Sequence, residues 1–128
     1  MIKKTVIIGA TLVVFGIILG AFGAHALKEI LSVEKLASFE TGVRYEIYPG
    51  LAVMLIGLNH DKLKIRTSIV VNLLLTGVLL FSLSIYLLAL QETFSVSLKF
   101  LGPITPIGGV LMISGWAVFI FQLLRRKD

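Results

Sequence analysis

The sequence has no cysteine, which removes disulfides, thiolate nucleophiles, iron–sulfur clusters and cysteine zinc sites at once. Its two histidines cannot complete a metal site on their own. Charge is scarce too: Asp, Glu, Lys and Arg make up 15% of the 128 residues, against roughly 25% in soluble domains. Three stretches hold no charge at all: Thr5 to Ala24 (20 residues), Thr67 to Leu90 (24) and Phe100 to Leu124 (25). What is abundant is apolar surface, with 57% hydrophobic residues and a mean hydropathy of +1.00. Lipid, not water, is therefore the expected solvent, and the length fits one domain.

Each of the three runs is long enough to cross a hydrocarbon core of ~30 Å. The first imitates a secretory signal, with Lys3 and Lys4 ahead of it and the small-x-small pattern Ala24-His25-Ala26 behind. Its length and the spans that follow favour a retained helix. In the third, Gly102-Pro103-Ile104-Thr105-Pro106 breaks the helix, so the membrane helix is expected to start at Thr105 as N-cap with Pro106 in its first turn. Between the first two runs, Ile47 to Asn59 is uncharged over only 13 residues, too short to cross at ~1.5 Å per residue. Extending it back to Phe39 gives a sufficient length but draws Glu40, Arg44 and Glu46 into the outer part of the bilayer, with Pro49 as a kink. Ser32 is a candidate N-cap, and Leu36, Phe39, Val43 and Ile47 recur at helical spacing. The segment reads as one helix, interfacial and amphipathic at first and then plunging.

The expected architecture is all-α: a single polytopic domain over residues 1–128, with four transmembrane helices in an up-down bundle at about 5–27, 39–59, 67–90 and 105–124. On that arrangement Lys3, Lys4, Lys62, Lys64, Arg66, Arg125, Arg126 and Lys127 share one side, and Lys28, Lys35, Arg44 and Lys99 the other. The positive-inside rule then puts both termini and the Asn59 to Arg66 loop in the cytoplasm of a cell with this protein in its cell membrane. The same distribution speaks against nucleic acid as the partner of this basic chain, because the basic residues cap apolar runs and form no interleaved patch.

Candidate functional residues gather at the opposite face. His25 ends the first span and could carry a proton or simply bond a neighbouring helix. Glu40 and Arg44 are spaced to pair along one helix face, and Thr41, Tyr45 and Tyr48 continue it, as ligand contacts or as interface anchors. Thr105 opens the last helix. His60 reads as a solvated loop residue, and Asn72, Thr76, Ser82, Ser84 and Ser114 as hydrogen bonds between helices or to their own backbone. Gly16, Gly20, Gly23, Gly108 and Gly109 read as helix-packing positions, with Gly16 and Gly20 alternatively a dimerisation face. Glu40, Arg44 and Glu46 are the sole charges inside a span and fall towards one end of it, which counts against a small multidrug exporter, since proton-coupled transport places a carboxylate near the midplane.

Three ordered stretches, Gly20-Ala21-Phe22-Gly23-Ala24-His25-Ala26-Leu27, Phe39-Glu40-Thr41-Gly42-Val43-Arg44-Tyr45 and Leu101-Gly102-Pro103-Ile104-Thr105-Pro106-Ile107-Gly108-Gly109, resemble the YgdD/YwdK family. This is domain-of-unknown-function family 423, small bacterial membrane proteins with a eukaryotic relative called transmembrane protein 256. The resemblance covers nearly the whole chain and implies four spans without implying an activity. In that family the second motif usually continues as Tyr-His before the apolar run, where this chain has Tyr48-Pro49-Gly50.

All three motifs fall on the non-cytoplasmic side, so His25, Glu40, Thr41, Arg44, Tyr45, Tyr48 and Thr105 are expected to form one polar cluster in the outer leaflet. The broken start of the fourth helix would offer backbone groups to Arg44 or His25. The reading that follows is a non-enzymatic membrane protein without a cofactor, binding a lipid head group or a membrane-protein partner through that cluster. The alternatives are a homo-oligomeric transporter or channel lined by Arg44, Glu40 and His25, and, last, an enzyme using His25 as base.

Overall fold

The computed structural model describes residues 1–128. It is built from four long helices: α1 (Lys3–His25), α2 (Val33–Leu58), α3 (Thr67–Leu90) and α4 (Ile104–Arg125). Short turns connect them at Leu27–Glu29, His60–Leu63 and Lys99–Leu101. Three helical segments are long and apolar enough to cross a membrane, Lys3–His25, Thr67–Leu90 and Lys99–Arg125. Their outer faces suit lipid: Ile7, Phe15, Ile18 and Phe22 on α1, and Ile113, Ile120 and Phe121 on α4, are all more than half exposed.

Glycine sets how the helices meet. In α1 the buried residues are Gly9, Gly16 and Gly23, one stripe at seven-residue spacing. A Cβ on Gly9 would lie 2.5 Å from both Gly50 O and Met54 N, and one on Gly16 2.4 Å from Ile47 Cγ1. Gly23 sits over the Phe39 ring, and the Ile2 amide donates to Gly57 O at 2.9 Å. α1 and α2 are thus antiparallel with their backbones in near contact, and Phe39 to Gly57 lies alongside the length of α1. The Gly16 and Gly20 face packs within the chain, Gly20 against Val43.

The second hairpin is built the same way. A Cβ on Gly77 would meet Met112 Cγ at 2.5 Å, and one on Gly108 would meet Phe81 N at 2.4 Å. Gly109, one position on, is at ordinary contact distance from the Phe81 ring, 3.7 Å, because it faces around the helix from the crossing point; of the two expected packing glycines on α4 only Gly108 stands at the close approach. α2 and α3 join the hairpins through a core of Val53, Ile56, Val70, Val71, Leu74 and Val78, with Met112 from α4. A second core near the other end holds Leu27, Phe39, Val43, Tyr86 and Ala89. Two grooves are left, between α1 and α3 and between α2 and α4.

Several local expectations are met and others corrected. Ser32 caps α2, its Oγ accepting from the Lys35 amide at 3.2 Å. Ser32→Ala is expected to cost about 1 kcal/mol, measured by unfolding in mixed micelles; a loss under about 0.3 kcal/mol would mean that this first turn lies outside the cooperative unit. The helix is continuous through Pro49. α4 begins two residues earlier than expected, with Pro103 in place of Thr105 at its N-cap, and the Thr105 hydroxyl is engaged with Ser84 Oγ at 2.6 Å. Within α3 the residues Leu79–Leu83 form a π-turn, a widening that single-residue periodicity does not disclose. His60 is not simply solvated: its Nδ1 and Thr67 Oγ1 are 2.8 Å apart, across the α2–α3 turn.

The basic end of the molecule is knit together. Arg126 Nη1 donates to Leu63 O at 2.9 Å, and Gln122 bonds the Arg66 backbone twice. The Met1 ammonium pairs with Asp61 and holds that carboxyl below the usual carboxylate range.

Candidate functional site

The sequence-selected residues do not assemble into one cluster. Arg44 does not pair with Glu40; its Nη2 donates to Thr41 Oγ1 at 3.1 Å, and Thr41 in turn donates to Ala37 O. The ion pairs of the molecule are Met1 with Asp61, Lys35 with Glu92 and Arg126 with Asp128. Physically, two exposed long side chains gain little from pairing, and a hydroxyl one turn back competes for the guanidinium. His25 is exposed at the last residue of α1 and bonds neither Arg44 nor the start of α4. Thr105 belongs to the α3–α4 contact through Ser84.

What the structure does bring together is a groove. Thr41, Tyr45 and Tyr48 of α2 face Gly109, Met112 and Trp116 of α4 across a cavity of about 490 Å³. The Tyr45 ring packs on Phe81 with centroids 5.0 Å apart, while Tyr48 stays 60% exposed. Tyr48 and Trp116 are shared with a second cavity of about 470 Å³ that continues to Asn59 and Leu63. The two form one apolar channel along the outside of α2, with the Arg44–Thr41 pair beside its upper end.

A second feature escaped the sequence reading. Glu46 is only 6% exposed. Its Oε1 accepts from Tyr86 OH at 3.0 Å, and its Oε2 is buried without a partner. It is level with Gly16, whose added Cβ would be 3.3 Å from Oε2, and Gly16 is midway along α1. Beside it, Ser82 Oγ donates to Gly42 O at 2.8 Å from the π-turn. The signal was present, since Phe39, Val43, Glu46, Gly50, Val53 and Gly57 alternate steps of four and three and are all buried. The expected stripe through Ile47 runs one position aside of it. No group of three or more His, Cys, Asp or Glu is placed to hold a metal.

An all-helical chain with lipid-facing apolar helices and close glycine crossings is an integral membrane protein. It belongs to the family described as "Protein of unknown function (DUF423)", which matches residues 19–109. It is 37% identical to "UPF0382 membrane protein SH2409" of Staphylococcus haemolyticus over 123 residues, 96% of this chain and 97% of that protein. It is 34% identical to "UPF0382 membrane protein YwdK" of Bacillus subtilis over 125 residues, 96% and 98% of the two chains. No solved structure matches it. The YgdD/YwdK resemblance carried by the three motifs is thereby established.

Proposed function

We propose that the protein crosses the bacterial cell membrane four times with both termini in the cytoplasm, and that it binds an anionic lipid, non-enzymatically, in the α2/α4 groove. The register of α2 on α1 supports the fourth crossing. Phe39 to Gly57 runs beside α1 from its last turn to its first, about 28 Å at ~1.5 Å per residue, close to the ~30 Å core. If α1 crosses, this part of α2 crosses with it, and the Ser32 to Ser38 portion that overhangs α1 is left at the interface. Two of the three charges that make α2 too polar for a simple apolar span have a polar partner on the protein, Arg44 at Thr41 and Glu46, through one oxygen, at Tyr86. The meeting of the basic loop and the chain termini at one end of the bundle supports the orientation.

The lipid reading is carried by one observation: Thr41, which orients the Arg44 guanidinium, also lines the groove. A phosphate at Arg44 and Thr41 and an acyl chain running past Tyr48 and Trp116 would use both parts. Trp116 is the sole tryptophan, so it reports the groove directly. In nanodiscs, phosphatidylglycerol with brominated chains is expected to quench Trp116 more than brominated phosphatidylcholine at equal mole fraction. Arg44→Gln should erase the difference. Equal quenching by the two lipids in the unsubstituted protein would end the anionic-lipid reading. The alternative, an oligomeric transporter or channel, draws support from one observation, the mid-height position of Glu46.

A further inference from the structure

We propose that the groove between α1 and α3 is a separate binding site for a lipophilic ammonium, its apolar body among Leu12, Phe15, Leu79 and Leu83 and its N–H on Glu46 Oε2. The groove encloses about 470 Å³, within the roughly 300–1,000 Å³ of small-molecule sites. Its walls are aliphatic apart from Phe15 of α1, and three polar side chains, Glu46, Ser82 and Tyr86, are grouped on it. Phe15 and Leu79 are each more than half exposed at its rim, so the way in is lateral, from the bilayer.

The polar groups select the ligand. Ser82 spends its proton on Gly42 O and Tyr86 spends its own on Glu46 Oε1. That leaves Oε2, buried and unpartnered beside Gly16, as the one strong acceptor of the three without a donor. An ionised carboxylate among aliphatic walls is costly until a proton or a cation meets it, and no basic side chain does so here. α1 carries no Lys or Arg after Lys4, α3 offers only Tyr86 as a titratable group, α4 does not line the groove, and Arg44 and Glu40 of α2 are exposed. An anionic head group would be repelled, and a plain acyl chain would leave Oε2 bare. A monovalent N–H cation with an apolar body satisfies charge, hydrogen bond and walls together. Gly16 is what makes room, since a Cβ there would press on Oε2 at 3.3 Å.

This site does not depend on the α2/α4 groove, and its test leaves anionic lipid out. Protein with isotope-labelled leucine methyls, in nanodiscs of phosphatidylcholine alone, is titrated with dibenzylammonium and with its neutral isostere dibenzyl ether. Saturable shifts are expected at the Leu12, Leu79 and Leu83 methyls, with the cation at least about tenfold tighter than the ether. Glu46→Gln keeps the shape and an acceptor for Tyr86, and should bring the two probes to within about threefold of each other. Leu79→Trp narrows the rim while leaving the carboxylate in place, and should weaken both probes about tenfold. Equal binding of the two probes to the unsubstituted protein would overturn the proposal. So would an undiminished cation preference in Glu46→Gln, or shifts confined to residues of the α2/α4 groove.

Discussion

Gly108→Ala is expected to destabilise the protein by about 3 kcal/mol, the upper part of the range for overpacking. The added methyl would sit 2.4 Å from Phe81 N, 2.7 Å from Gly77 O and 2.9 Å from Leu80 C. All three are backbone atoms, so no side chain can swing away. α3 and α4 must separate instead, and that costs dispersion contact along their shared face. The penalty is acute in a membrane, where helices gain nothing from hiding apolar surface from each other and depend on close approach. Gly109→Ala is the control: its methyl would meet only the Phe81 ring, at 3.7 and 3.8 Å, and should change stability by less than about 0.5 kcal/mol. Unfolding of both variants in mixed micelles of rising SDS fraction checks this. Equal losses would mean that the crossing is looser than the Gly77–Gly108 approach implies.

That contrast also shows how far the sequence reaches. Composition and uncharged runs are enough to expose three lipid-spanning segments, because the hydrocarbon thickness imposes a length that no soluble helix must obey. Ser32 as an N-cap and the continuous helix behind it follow from local chemistry that needs no partner. Which glycine stands at a crossing is a different matter. Gly108 and Gly109 are neighbours with the same local propensities, and only the rotation of α4 against the π-turn of α3 separates them. The candidate site fails for the same reason. Glu40 and Arg44 are correctly spaced to pair on one helix, yet the guanidinium goes to Thr41, a choice between near-equal local partners that spacing does not resolve. Counted along the extended span from Phe39, Glu46 falls towards one end. Its height against α1 is set instead by register, through Gly9, Gly16 and Gly23, and register is a property of two helices.

Tyr86→Phe is expected to cost about 2 kcal/mol, the price of leaving a buried acceptor unsatisfied. The substitution keeps the ring packed against Phe39, centroids 5.0 Å apart, and removes only the hydroxyl that reaches Glu46 Oε1; both carboxylate oxygens then lack a protein donor. Glu46→Leu removes the demanding group instead and strands the Tyr86 hydroxyl, a smaller loss of about 1 kcal/mol. Combining the two substitutions replaces a buried polar pair by apolar contact, which is often neutral or stabilising. The double variant should therefore be at least as stable as Tyr86→Phe alone, with a coupling energy of about 1 kcal/mol or more in the double-mutant cycle. Strict additivity would show that the hydroxyl and carboxylate do not act as a unit. If the double variant is also at least as stable as the unsubstituted protein, the bundle has no need of a carboxylate at its mid-height. Stability would then give no reason for Glu46 to be where it is, and its unpartnered oxygen would be explained by what it binds.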